Sequence, residues 1–164
     1  CDDTIATLVK HHCDKGDECT IISSDSDFYQ LLNVFDNCHI YNPIKKKMIE
    51  APDYDYVTWK ALRGDPTDNI AGIPGCGDKT ADKLVRSPEL LSEYLKKDPI
   101  RQQIFERNVN LIRLVDFSDN MGEMEKHEGC EDFEQLHELF DDMGFQTMLK
   151  EKTWNKYVQT FGAL

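Results

Sequence analysis

Apolar residues along this chain switch between two rhythms. Ile5, Leu8 and Val9 recur at helical spacing and predict a helix over residues 2–12. After a polar turn around Gly16, the run Cys19-Thr20-Ile21-Ile22-Ser23-Ser24 is short, continuous and rich in β-branched side chains, the pattern of a strand in a parallel sheet. It ends in Asp25-Ser26-Asp27, and helical spacing resumes at Phe28, Leu31 and Leu32. Residues 38–42 and 46–49 read as two short strands around a turn at Asn42-Pro43-Ile44-Lys45. From Tyr56 the spacing is helical through Leu62, then breaks at Gly64-Asp65-Pro66. Further helices are expected near 68–71, at 79–85, 88–95, 99–115, 131–143 and 151–160, with Phe117, Phe133, Leu136, Leu139, Phe140 and Phe145 available for a core in the tail. The fold class is α/β: a sheet-bearing part over residues 1–54, then a mainly helical part over 55–164. Strand, acidic turn and helix in that order place a ligand at the carboxyl end of a strand.

Composition narrows the class without fixing the function. With 40% apolar and 30% charged residues in 164, collagen-like, low-complexity and disordered chains are excluded. The net charge of -12 is unevenly spread: -5 over residues 1–60, +1 over 61–113 and -8 over 114–164. A uniformly basic nucleic-acid coat is excluded, and only the middle third could face a phosphate backbone without an opposing charge balance. The cysteines, Cys1, Cys13, Cys19, Cys38, Cys76 and Cys130, show no C-x-x-C spacing, so free thiols in a reducing compartment are expected. His11 and His12 beside Cys13 form the only Cys/His cluster and the one opening for zinc. No stretch approaches eighteen apolar residues and no signal-peptide pattern is present, so a soluble, cytoplasmic protein is expected.

Three aspartate pairs carry the candidate chemistry. Asp25 and Asp27 flank Ser26 directly after a strand, Asp2 and Asp3 open a helix, and Asp65 and Asp68 lie three apart. Each alone reads equally as a solvated turn or a cap, Asp65 for the turn beginning at Pro66. Together, at element boundaries, they suit hard divalent cations such as Mg²⁺ or Mn²⁺, which take oxygen ligands. Two such ions ~3.5–4 Å apart fit in-line attack on a phosphodiester.

Gly72-Ile73-Pro74-Gly75-Cys76-Gly77-Asp78-Lys79-Thr80-Ala81 is the most informative stretch. Gly72, Gly75 and Gly77 permit close backbone approach, and free amides leading into a helix N-terminus suit a DNA phosphate. Lys79 and Lys83, one turn apart, extend that contact, with phosphate positioning and no base readout. The spacing is not that of a nucleotide-binding P-loop. Arg63 has two readings, contact with a scissile phosphate or neutralisation of the aspartates beside it. Lys45, Lys46 and Lys47 read as a solvated turn or a DNA contact, and Arg107 and Arg113 lie on a helix from which either could reach substrate.

Four blocks resemble, in order, signatures of the 5′-nuclease (flap endonuclease) family: Cys1-Asp2-Asp3, Ile22 through Leu32, Gly64-Asp65-Pro66-Thr67-Asp68-Asn69-Ile70, and Gly72 through Ala81. The likeness is to phage 5′–3′ exonucleases and the 5′-nuclease domain of bacterial DNA polymerase I, and covers residues 1–113. It implies the carboxyl-terminal part of a parallel-sheet nuclease fold and a two-metal site. Asp3 and Asp25 would serve the first ion and Asp27 and Asp68 the second, with Asp2 and Asp65 supporting. It implies a helix–three-turn–helix module over 68–85 gripping duplex DNA through Gly72, Gly75, Gly77, Lys79, Thr80 and Lys83, with K⁺ at the hairpin. Branched DNA and RNA/DNA hybrids are implied substrates, in a bacterial or phage-infected cell.

The family's N-terminal strand, its further acidic ligands and its basic arch have no counterpart in these residues. A separate N-terminal nuclease fragment is therefore the expected partner, and a chain divided by cleavage or by an intein fits a start at Cys1 inside a motif. The competing reading is a duplex-binding module whose carboxylates only cap helices.

Overall fold

The computed structural model describes residues 1–116 and 132–162, so Phe117 and Cys130 lie outside the described residues. The chain divides into two compact units, Cys1–Gly122 and Glu123–Leu164.

The first unit opens with α1 (Asp2–Cys13), whose acidic first turn and basic last turn both complement the helix dipole. β1 (Cys19–Ile22), α2 (Tyr29–Leu32), β2 (Cys38–Asn42) and β3 (Lys47–Met48) follow. β1 and β2 pair in parallel with Ile21 opposite Ile40, and β3 returns antiparallel along β2. At the intervening turn the Asn42 side-chain oxygen accepts from the amides of Ile44 (3.0 Å) and Lys45 (2.8 Å). The three lysines follow at that tip, as the spacing predicts.

Alternation along the pleat sends Ile21, Cys38 and Ile40 into a core with Ala6, Val9, Cys13, Phe28 and Leu31. Thr20, Ile22 and His39 point the other way and are exposed, Ile22 by 72%. The expected parallel strand is present, but among the described residues it is covered on one face only.

α3 (Tyr56–Arg63) begins the helical layer, with the Asp55 carboxylate accepting from the Thr58 amide at 2.6 Å as its N-cap. The helix expected near 68–71 does not form. Instead β4 (Gly64–Asp65) and β5 (Ile70–Ala71) pair antiparallel, Gly64 opposite Ala71 and Asp65 opposite Ile70. Gly64 at φ +85 and Asn69 at φ +57 are left-handed, which a helix cannot accommodate and a tight hairpin uses.

α4 (Asp78–Val85), α5 (Pro88–Lys96) and α6 (Pro99–Ile112) follow. α5 and α6 start as their sequences dictate, with caps at Ser87 and Asp98 each followed by proline. α6 stops at Ile112, short of the expected 115. The Leu114 amide donates to the Gln30 side-chain oxygen (3.0 Å) and the Val115 amide to the Asp3 carboxylate (2.7 Å), so side chains from earlier elements take the bonds that further helix would have used. Leu62, Ile73, Ala81, Leu84 and Leu95 form the core of this layer. Fully buried Asn108 donates to the carbonyls of Ala61 and Ala71, both at 2.9 Å, and so ties α6 to α3 and β5.

The described residues of the second unit form a pair of helices, α7 (Phe133–Asp142) and α8 (Glu151–Phe161), close to the expected ranges. Trp154 stacks on Tyr157 at 5.8 Å between centroids and meets Phe140 edge-on at 6.1 Å. Neither helix has a buried residue.

Candidate metal centre

The carboxyl end of β1 and the β4–β5 hairpin meet at a carboxylate-lined hollow. Ser24, Asp25, Ser26, Asp65, Thr67 and Asp68 line a cavity of about 310 Å³. Two linked turns set the first pair: the Asp25 amide donates to the Ser23 hydroxyl oxygen (3.0 Å), and the Asp27 amide to the Asp25 carboxylate (2.9 Å). Asp65 is the last residue of β4, and its carboxylate accepts from the Thr67 amide at 2.8 Å. The turn-capping role expected of Asp65 at Pro66 is present in this form. Across the hollow, one carboxylate oxygen each from Asp27, Asp65 and Asp68 lie within 4.8 Å of one another.

A lysine that the sequence reading missed sits among them. Lys60 is buried on α3, its side chain 4% exposed, and its ammonium forms ion pairs with Asp27 and Asp65. Asp68 lies 4.0 Å away. Burial alone would lower the Lys60 pKa, but its bonds to Asp27 and Asp65 outweigh that and raise it, so Lys60 is a fixed cation.

The two aspartates respond in opposite directions. Burial pushes Asp27 up, the bond and charge of Lys60 pull it down without cancelling that push, and Asp25 and Asp68 add smaller upward pushes of like charge. Asp65 is also pushed up by burial, but bonds from Lys60 and the Thr67 amide prevail and hold it below the usual range. Asp65 also has a donor that Asp27 lacks, the Thr67 amide, and this helps to separate them.

The remaining candidates fall into three places. Asp2 and Asp3 begin α1 and are not among the residues lining the hollow; the Asp3 carboxylate accepts from Val115. Arg63, expected to contact a phosphate or to neutralise the aspartates, pairs with Asp78 and lies 5.2 Å over the Trp59 ring. Neutralising the carboxylates falls to Lys60. The glycine loop continues directly from β5. Gly72 packs so tightly that a Cβ there would overlap the Arg63 carbonyl, whereas Gly75 (φ +80) and Gly77 face open space. Ile73 anchors the loop at 2% exposure, and Gly77 is the N-cap of α4. Lys79 and Lys83 are exposed on α4, and Thr80 is half-buried there.

His11 bonds Lys15 (2.6 Å) and His12 bonds Asp17 (2.9 Å). Among the described residues, the aspartate trio is the only group of three His, Cys, Asp or Glu side chains placed to share an ion. Lys60 had one sequence signal: it lies at i+4 from buried Tyr56 and beside buried Ala61, a lysine within an apolar helix face.

No protein-family model matches the chain. Curated proteins do. DNA polymerase I of Rhizobium leguminosarum is 34% identical over an alignment 127 residues long that covers 69% of this chain and 12% of that protein. This chain is similar to a part of DNA polymerase I. The thermostable DNA polymerase I of Thermus thermophilus is 36% identical over 65% of the chain and 14% of its own length. That of Bacillus caldotenax is 33% identical over 92% of the chain and 20% of its own length. The chain thus spans between 12% and 20% of the length of these three relatives. No helix among the described residues is long and apolar enough to cross a membrane.

Proposed function

We propose that this chain is part of a metal-dependent 5′-nuclease, a flap endonuclease or 5′–3′ exonuclease hydrolysing phosphodiesters near the 5′ ends and junctions of DNA or RNA/DNA hybrids. The observation that carries this reading is the meeting of Asp25 and Asp27 with Asp65 and Asp68, from two segments some forty residues apart, beside an open glycine loop. Similarity to DNA polymerase I, a DNA enzyme by name, supports it. Residues 1–54 supply part of the nuclease core, and 55–164 the helical DNA-binding part.

The donor set of Asp27, Asp65 and Asp68 is all oxygen and fits Mg²⁺ or Mn²⁺. Asp27 and Asp68, with Asp65 supporting, would hold one ion, and Asp25 and Asp3, with Asp2 supporting, would hold a second. Such ions supply Lewis acidity and lower the pKa of water. The protein's own contribution is positional. Lys60 holds Asp27 and Asp65 facing one another and offsets part of their repulsion before any ion arrives. Gly72, Gly75 and Gly77, with Lys79, Thr80 and Lys83, form the helix–three-turn–helix grip on duplex phosphates, with K⁺ at the loop.

The partner is a second polypeptide segment carrying the remaining acidic ligands and the flap-binding arch. The bare face bearing Ile22 and the outer edge of β1, which pairs with no second strand among the described residues, support that partner. A second reading, a duplex-binding module without catalysis, is favoured by Lys60 alone, since an ammonium already neutralises the carboxylates.

A labelled 5′-flap duplex separates the two readings. The chain is incubated with it in Mg²⁺ and in EDTA, with and without an N-terminal nuclease fragment. Metal-dependent products that vanish with Asp25→Asn while duplex affinity persists are expected. Binding without products in every mixture would leave only the module.

A further inference from the structure

Three thiols meet at the end of β1 away from the carboxylates. Cys13 closes α1, Cys19 opens β1, and Cys38 opens β2 directly across the parallel ladder from Cys19. Cys13 and Cys38 are buried in the first core, and Cys19 packs against it while staying partly exposed. The Cys19 thiol stands close enough to that of Cys13 to help raise its pKa.

The link between these two residues is clamped by Asn37. Its side-chain amide donates to the carbonyls of Cys13 (3.1 Å) and Asp17 (2.6 Å), and its backbone carbonyl accepts from the Cys19 amide (2.9 Å). Gly16 at φ +89 makes the turn between them. Both cysteine backbones are therefore fixed to one residue. Cys19 and Cys38, neighbours in a parallel ladder, stand side by side and point the same way, the poorer approach for a bridge.

Reactivity divides among the three thiols. Burial pushes the Cys13 thiol up to about 12 and that of Cys38 up to about 11, so both stay protonated near neutral pH. Cys19, with solvent access, reacts first.

We propose that Cys13 and Cys19 are an oxidant-responsive dithiol that closes to an intramolecular disulfide on meeting a hydroperoxide, with Cys19 as the entry thiol. The Cys19 thiolate attacks a peroxide oxygen, the O–O bond breaks, and the departing oxygen takes a proton to leave as water or an alcohol. Cys19 is then a sulfenic acid. The Cys13 sulfur attacks the Cys19 sulfur, the S–O bond breaks, and the oxygen leaves as water with the Cys13 proton. Two thiols lose two electrons and two protons, and the peroxide gains them.

The test uses the full chain, treated with hydrogen peroxide, alkylated under denaturing conditions and mapped by non-reducing peptide mass spectrometry. A Cys13–Cys19 link within one chain, reversed by dithiothreitol and retained in Cys38→Ser, is expected. In Cys13→Ser, Cys19 should accumulate as a sulfenic acid trapped by dimedone. A link from Cys19 to Cys38, links only between chains, or over-oxidation of Cys19 without a link in the unmutated chain would each overturn the proposal. The unmutated chain decides even if a variant fails to fold. Because the carboxylates lie at the other end of β1, these results are independent of nuclease activity.

Discussion

The Lys60 ammonium stands between Asp27 and Asp65, two carboxylates delivered by different elements. Such an arrangement is balanced as a set and unstable in pieces. Removing the cation leaves buried like charges facing each other, at a cost of about 3–5 kcal/mol. Lys60→Met should therefore lower the melting temperature markedly without metal, and Mg²⁺ or Mn²⁺ should restore more of it than in the unmutated chain. Melting curves with and without each ion check this; equal shifts in both proteins would mean that the ion does not replace the ammonium.

The glycine loop separates fit from function. Gly72→Ala places a methyl against the Arg63 carbonyl, backbone that can only yield by moving, and should cost about 1–3 kcal/mol. Gly77→Ala meets open space and should cost below about 1 kcal/mol, the difference between a glycine and an alanine N-cap. Urea denaturation of the two variants gives the comparison.

Lys79 and Lys83 are exposed on α4 and form no ion pair among the described residues. Lys79→Ala and Lys83→Ala should leave stability within about 0.5 kcal/mol. Each should weaken duplex binding irrespective of sequence and reduce the slope of log affinity against log salt by about 1. A titration of labelled duplex across a salt series reads both effects.

Asp53 provides a pH signature away from the hollow. Arg86 donates two bonds to its carboxylate, each 2.8 Å, and these hold Asp53 below its ordinary value of 3.8. A carboxylate with a depressed folded-state pKa stabilises fully above its ordinary value, and the contribution is lost as pH falls through the folded-state value. The melting-temperature gap between the unmutated chain and Asp53→Asn should stay constant from about pH 7 to about pH 5 and close in stronger acid. Both side chains are exposed, so the gap should be small.

How far the sequence spoke differs from place to place. The starts of α5 and α6 were legible from helical spacing, which is local, whereas the end of α6 at Ile112 was not, because side chains from earlier elements take the amides beyond it. The strand after Gly16 was legible from its β-branched run, but its bare outer face was not, since covering depends on residues distant in sequence. Asp25, Asp27, Asp65 and Asp68 were readable as pairs, and their meeting was expected only through resemblance. Residues 68–71 misled because Asp68 and Asn69 read as a helical turn, while the left-handed Asn69 and the pairing of Gly64 with Ala71 decide a hairpin. Lys60 stayed hidden because a lysine on a helix ordinarily reaches solvent. Only the carboxylates brought in by other elements keep it buried.

The β4–β5 hairpin has two-residue strands, yet it fastens Asp65 and Asp68 to the glycine loop with almost no slack. Gly64 and Gly72 touch backbone to backbone, and the Ile73 amide donates to the Leu62 carbonyl at 2.9 Å. That join behaves as a caliper with its screw tightened. Whatever rests on the loop stands at a set reach from the carboxylates, and no side chain can be slipped into the hinge to alter that reach. Only a change in the number of residues between Asp68 and Gly72 could reset it.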